Sequence, residues 1–334
     1  MATPIEVQHL TKRYDTLTAL SDISFSVQPG EVMGFLGPNG AGKTTTLRIL
    51  TGMIAPTSGS VRIDGLDVTE RSLDVRRRIG YMPENVALYP ELRVDEYLAY
   101  RASLKGVARH ERRARLADAM EQCAVTEVSR QLIGRLSKGY RQRVALADCL
   151  IGKPKILILD EPTIGLDPHQ IRQTRDLIMA LGETTTILLS THILPEVEMT
   201  CQRVAIIDKG RIVAVDTPER LRQQLQGTQL VQVQLRGDAA AIERALQQVP
   251  GVARVTSQGR ANGFASFEIE ALTGADVREA IFRLAVERQW ALLELAHVRA
   301  SLEDIFIHLT TREHEGPAGQ DTHAEPHRAD LQRT

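Results

Sequence analysis

Residues 37–45 read Gly37-Pro38-Asn39-Gly40-Ala41-Gly42-Lys43-Thr44-Thr45, the spacing G-x-x-x-x-G-K-[ST] without a gap or a substitution. Ahead of it, Glu31-Val32-Met33-Gly34-Phe35-Leu36 has the short apolar run of a buried strand, and behind it residues 44–50 read as a helix. Strand, loop and helix in that order are what a phosphate-binding loop requires. Glycines let the backbone turn tightly around a polyphosphate and aim its N–H groups inward, where a Cβ would intrude. The start of the helix adds partial positive charge. Lys43 is then expected to reach the β- and γ-phosphates, the Thr44 hydroxyl to complete the coordination of a Mg²⁺ ion, and Thr45 to hydrogen-bond the α-phosphate.

Outward from this loop, residues 5–7 and 22–27 alternate as strands with one buried face do, and Gln28-Pro29-Gly30 is a turn. An antiparallel lobe is therefore expected ahead of a parallel core. Within the lobe, Lys12-Arg13-Tyr14 sets an aromatic ring beside two cations; its spacing suits a cap on a small core and a platform for an adenine ring equally. Past the loop, residues 60–65 read as a strand and turn, 74–78 as a polar helix, and 79–84 as a strand entering an exposed loop. Tyr97, Leu98, Leu104, Leu116, Ala119 and Met120 recur at helical spacing, which predicts a helical insertion over residues 94–125, broken near Gly106. Residues 136–143 read as a polar loop leading into a helix over 144–150, whose start is a second potential anion site.

Ile156-Leu157-Ile158-Leu159 ends in Asp160-Glu161, and comparable unbroken runs occupy residues 186–190, ahead of Thr191-His192, and 204–208. Apolar runs without alternation suit strands buried on both faces of a parallel sheet, and their alternation with helices argues for an α/β domain. Ligand groups in such a sheet gather at the carboxyl ends of the strands, where the phosphate loop, Asp160, Glu161 and His192 all fall.

Thr217-Pro218-Glu219 begins a short helix that Gly227 is expected to close. The following order is strand (231–235), helix (239–248), strand (252–257), strand (265–270), helix (275–290) and strand (292–298), which fits a small ferredoxin-like βαββαβ domain. A last helix is expected over 302–309. The polar stretch 311–334 has the composition of a disordered tail. The division expected is thus 1–220, 228–310 and 311–334.

The 334 residues, with 43% hydrophobic and 25% charged side chains, have an ordinary globular composition. A formal net charge of −1 gives no general attraction for nucleic acid or a membrane surface, and Arg76-Arg77-Arg78 and residues 109–115 read as solvated helix faces. Three cysteines without metal-ligand spacing, Cys123, Cys149 and Cys201, point to a reducing compartment and no disulfide framework. No apolar run approaches the roughly 18 residues that span a bilayer, so any membrane role needs a second chain.

In their order, these motifs resemble the ATP-binding subunit of an ABC (ATP-binding cassette) transporter over residues 1–220. Tyr14 resembles the adenine-stacking aromatic, Gly37 to Thr45 the Walker A loop, and Tyr81 to Glu84 the loop that usually carries glutamine. Leu136 to Gln142 resembles the signature motif, Ile156 to Glu161 the Walker B strand, Gly165-Leu166-Asp167 the D-loop, and His192 the switch histidine. Glu84 stands where most members have glutamine, and Lys138 and Tyr140 replace the first glycine and the glutamine of Leu-Ser-Gly-Gly-Gln. Ser137 and Gly139 keep the hydroxyl and the flexible backbone. Met82-Pro83-Glu84-Asn85 with residues 136–140 looks like the exporter-type subgroup that includes gliding-motility and multidrug ATP-binding subunits, and Leu302-Glu303-Asp304-Ile305-Phe306 resembles the closing helix of that subgroup's extra domain.

The resemblance implies a P-loop NTPase fold of mainly parallel sheet with an antiparallel lobe and a helical insertion, followed by the small ferredoxin-like domain. It implies ATP and Mg²⁺ as ligands, a separate membrane permease and a second cassette, identical or homologous, as partners, no nucleic acid, and a place on the cytoplasmic face of the cell membrane. In the family's head-to-tail dimer each ATP lies between one chain's Walker motifs and the other's signature, so Ser137 and Gly139 are expected to serve the partner's nucleotide, and Asp167 of the D-loop is expected among the nucleotide-binding residues. Asp160, with Thr44 and Glu84, would hold Mg²⁺; Glu161 would act as general base, Lys43 would stabilise the transferring phosphoryl group, and His192 would sense the γ-phosphate. A soluble ABC ATPase of ribosomes or DNA is the competing reading, against which stand the single cassette and the lack of a long coiled-coil insertion. A non-hydrolysing, ATP-gated module is a third, opposed by the intact Asp160-Glu161 pair.

Overall fold

The computed structural model describes residues 3–225, 229–261, 263–272 and 275–298. The chain opens with an antiparallel pair, β1 (Ile5–Tyr14) and β2 (Leu17–Val27), before β3 (Val32–Leu36) and α1 (Lys43–Leu50). Then come β4 (Ser58–Ile63), β5 (Leu66–Asp67), α2 (Ser72–Arg78) and β6 (Ile79–Met82). The expected antiparallel lobe is a four-stranded sheet of order β2-β1-β4-β5.

The helical insertion is α3 (Val94–Leu104) and α4 (Arg109–Gln122), separated at Gly106, where φ is +73°. Next, α5 (Lys138–Leu150) begins six residues earlier than the apolar pattern predicts. The reason is local. Ser137 caps it, its Oγ accepting from the Tyr140 N–H at 3.3 Å, so residues read as a polar loop form the first turns of the helix. Asp148 of α5 receives Arg101 of α3 and Lys105, just past its end, at 2.9 and 3.0 Å, which ties the insertion to this helix.

The second sheet draws on β7 (Ile156–Asp160), β8 (Thr186–Thr191), β9 (Arg203–Asp208) and β10 (Arg211–Asp216), with α6 (Pro168–Gly182) and α7 (Leu194–Thr200) between them. Its order is β10-β9-β3-β8-β7-β6, parallel except for β10. The antiparallel edge strand β10 was not foreseen from the sequence. Lys209 and Gly210, at φ +45° and +78°, make the two-residue turn that folds it back on β9. β3, β7 and β8 are buried at every position. Successive residues of β7 pack to opposite faces: Leu157 and Leu159 join one core with Val144 and Leu98, Ile156 and Ile158 a second with Leu47 and Phe25.

Beyond α8 (Pro218–Leu225), the third sheet has β11 (Gln229–Arg236), β12 (Val252–Ala261), β13 (Phe264–Ala271) and β14 (Ala291–Val298), with α9 (Ala239–Leu246) and α10 (Arg278–Glu287). Its order β12-β13-β11-β14, antiparallel throughout, is that of a ferredoxin-like βαββαβ unit, with its own core around Val233, Phe267, Ile242 and Ile281. α10 starts later than the sequence pattern suggests: the Asp276 carboxylate accepts from the Arg278 N–H at 3.1 Å and pairs with its guanidinium, which favours a turn over a helix there. The closing position Gly227, the helix expected over 302–309 and the tail 311–334 lie outside the described residues.

Candidate functional site

The segments that follow the carboxyl ends of β3 and β7 line one cleft of about 640 Å³, and His192, just past β8, reaches its Glu161 wall without lining the cleft itself. Tyr14, Pro38, Asn39, Gly40, Gly42, Lys43, Thr44, Thr45, Glu84 and Glu161 line it, together with Leu17, Thr18, Ala19, Ile164 and Lys209. The Tyr14 ring is 43% exposed at the cleft, with the Lys12 ammonium 4.9 Å from its centroid. Both readings of this ring, core cap and adenine platform, stay compatible with that exposure.

The loop needs its glycines at specific places. A Cβ on Gly37 would stand 2.3 Å from the Ile207 carbonyl oxygen, and Gly42, at φ +108°, would bring one within 2.9 Å of the Ala19 carbonyl. Gly37→Ala should therefore lower stability by about 1–3 kcal/mol through overpacking and weaken nucleotide binding, read by urea unfolding and calorimetric titration. Ala41 is buried beside this turn, its carbonyl accepting from the Gly210 N–H at 2.9 Å.

At the start of α1 the Lys43 ammonium donates to the Gly37 carbonyl at 2.7 Å and stands 3.4 Å from Glu161 Oε1. Glu161 is 4% exposed and its backbone sits at φ +49°, a left-handed conformation that a carboxylate residue keeps only when its surroundings impose it. The Ser190 carbonyl, 3.0 Å from the Glu161 N–H, is one such constraint. His192 Nδ1 lies 2.9 Å from Glu161 Oε2, so Glu161 touches both of the other expected catalytic groups, Lys43 and His192. Asp160, 1% exposed, accepts a hydrogen bond from Ser190 and has the Thr44 hydroxyl close by. Burial raises its carboxyl above the ordinary range, the two hydroxyls oppose that, the Glu161 charge adds to it and Lys43 lowers it.

Ser137, Gly139 and Asp167 do not line the cleft of their own chain. Ser137 caps α5, keeping its own proton to donate, and Asp167 caps α6, its carboxylate accepting from the Gln170 N–H at 2.9 Å. The two helix starts pack together. A Cβ on Gly139 would meet the Gln170 Oε1 at 2.6 Å, and one on Gly165 the Lys138 ammonium at 2.3 Å. Tyr140 donates its hydroxyl to Glu127. Glu84 lines a second, smaller cleft of about 310 Å³ as well, with Lys138, Arg141 and Ile164 on its wall.

Over residues 20–164 the sequence matches the family described as ABC transporter, and over residues 217–310 the one described as ATP-binding protein DrrA1-3-like, C-terminal domain. It is 31% identical to the linearmycin resistance ATP-binding protein LnrL of Bacillus subtilis, covering 92% of this chain and 98% of that one. The chain belongs to the ATP-binding subunits of ABC transporters. The cassette is also 36% identical to Nod factor export ATP-binding protein I of Burkholderia thailandensis, over 93% of its own length and 98% of the relative's. Among solved structures, a dimeric cassette in a post-hydrolysis state bound to ADP and Pi superposes with a TM-score of 0.58 at 25% identity, covering 64% of this chain and 98% of that one. The cassette is thus an ATPase that serves transport, and the reading as a soluble ATPase of ribosomes or DNA falls away. No helix among the described residues is long and apolar enough to cross a membrane.

Sequence reasoning passed over Ser190, Glu196, Lys209 and the β2 edge at Leu17, Thr18 and Ala19. Only Lys209 carried a signal, as the first residue of a Lys-Gly turn after a buried strand.

Proposed function

We propose that this cassette energises a separate membrane permease that exports its cargo, working from the cytoplasmic face as one of two head-to-tail cassettes. The observation that carries the hydrolytic part is Glu161 held between Lys43 and His192 at the mouth of the phosphate loop. In this reading Glu161 takes a proton from the attacking water, Lys43 leaves the Gly37 carbonyl for the β- and γ-phosphates, and His192 contacts the γ-phosphate from the far side. Asp160 and Thr44, side by side near Lys43, form an oxygen donor set that fits Mg²⁺. They would hold the ion with Glu84 nearby, and Mg²⁺ would neutralise charge on the phosphate oxygens.

Ser137 and Gly139, which do not line their own cleft, are assigned to the partner's ATP, with Asp167. ATP then joins the two cassettes and its hydrolysis parts them. The reading also divides the chain at residues 1–220 and 228–310, in support of which all buried residues of the third core fall between Val231 and Ala285. The names of the export and resistance relatives support export as the direction.

Permease docking is assigned to the region running from Glu84 through Arg93 into the helical insertion, where Tyr89, Tyr100 and Leu104 are exposed. A photo-crosslinker at Arg93, activated in native membranes with ATP, should capture a polytopic membrane protein. Capture of ribosomal or DNA-bound proteins alone would overturn the transport assignment.

A further inference from the structure

Glu196, in the first turn of α7, is 7% exposed. Its Oε2 accepts from Thr163 Oγ1 at 2.7 Å and from Thr191 Oγ1 at 3.2 Å, whereas Oε1 is buried without a hydrogen-bond partner. Both threonines are buried too, at 4% and 0% exposure. An apolar side chain would fill this space without an unpaired oxygen, so packing alone gives no reason for a carboxyl here.

The two threonines belong to the segments that carry the reacting pair. Thr163 lies two residues past Glu161, and Thr191 immediately precedes His192. The carboxyl therefore bridges the same gap that the 2.9 Å contact of Glu161 with His192 crosses. Thr191 Oγ1 also accepts from the Ile193 N–H at 3.0 Å, which fixes the backbone on the other side of the histidine. Glu161 itself is held at φ +49°, a conformation that relaxes when its neighbours move.

We propose that Glu196 is a positioning residue for ATP hydrolysis: by tying Thr163 to Thr191 it keeps Glu161 and His192 in register across the cleft. The hydroxyls need an acceptor of the right shape more than a negative charge. Burial pushes the Glu196 carboxyl up from its ordinary range, with the hydroxyls of Thr163 and Thr191 pulling it back. A glutamine, whose carbonyl accepts from both hydroxyls, should then stand in, and an alanine should not.

The inference rests on Glu161 being the base, so the full chain is assayed as Glu196→Ala, Glu196→Gln, Thr163→Val and the Glu196→Ala/Thr163→Val double variant, with Glu161→Gln in parallel. Glu196→Ala should lower kcat by about tenfold or more while the ATP Kd stays within about twofold, and Glu196→Gln should recover most of the loss. Thr163→Val should lower kcat in the parent and add nothing in the Glu196→Ala background. If Glu196→Ala fails to fold, Thr163→Val against Thr163→Ser, which keeps the hydroxyl, answers the same question. Unchanged kcat in Glu196→Ala, equal losses in Ala and Gln, or full additivity with Thr163→Val would each overturn the positioning role. Normal turnover in Glu161→Gln would instead overturn the underlying assignment of the base.

Discussion

Glu161→Gln should lower ATP turnover by about two to three orders of magnitude while ATP binding is retained. Glutamine matches the carboxylate in shape, so the contacts to Lys43 at 3.4 Å and His192 at 2.9 Å keep a polar partner. What disappears is the basic oxygen that takes the proton from water, together with one negative charge beside the γ-phosphate position. ATP then persists between two cassettes, and the dimer is trapped. Size-exclusion chromatography in ATP should show a stable dimer for the variant, where the parent reverts to monomer as ATP is consumed. Turnover at the parental rate would remove Glu161 from the role of base.

Lys43→Ala should act one step earlier. Lys43, a 6%-exposed residue, sets a cation at the start of α1, and the Gly37 and Pro38 carbonyls hold its ammonium 2.7 and 3.3 Å away, ready for transfer to phosphate oxygens. Without it, the β- and γ-phosphates lose their cation in a site where screening is weak. ATP affinity should fall by about tenfold or more, and turnover should drop below detection. Lys43→Arg should not restore either one, because the planar fork does not fit a cradle shaped around a point charge. Calorimetric titration separates the two variants: Glu161→Gln binds without turning over, and Lys43→Ala loses both. Parental affinity in Lys43→Ala would count against the phosphate loop itself.

The departures Glu84, Lys138 and Tyr140 each have a definite place in the structure. Glu84 still lines the nucleotide cleft with oxygen donors, and the Ser137 cap forms despite the neighbouring lysine. Tyr140, where the signature usually has glutamine, packs partly against the core and donates its hydroxyl to Glu127.

Much of this architecture was legible in the chain. The phosphate loop follows from a fixed spacing whose glycines answer to local sterics. The buried strands announce themselves as unbroken apolar runs because both faces of β3, β7 and β8 are covered. The helical insertion and its break at Gly106 follow from periodicity in the same way. Differences arose where short-range contacts decided the local structure. The Ser137 cap extended α5 into an apparent loop, and the Lys209-Gly210 turn added an antiparallel edge strand, β10, to a sheet read as mainly parallel.

Glu196 shows why part of the site was hidden. An acidic residue in the first turn of a helix ordinarily faces solvent, where it complements the helix dipole. Nothing in Leu194-Pro195-Glu196-Val197 reveals that this one is buried against Thr163 and Thr191. The residue types and spacings near one another in the chain determined the loop, the strands and the identity of the chemical groups. The meeting of Lys43, Glu161, His192 and Glu196 was decided only by the strand order β10-β9-β3-β8-β7-β6, which sets β3 beside β8 and β8 beside β7 although they are far apart in sequence. Hydrogen bonding across a sheet is indifferent to separation along the chain, so a site at strand ends is a property of the fold.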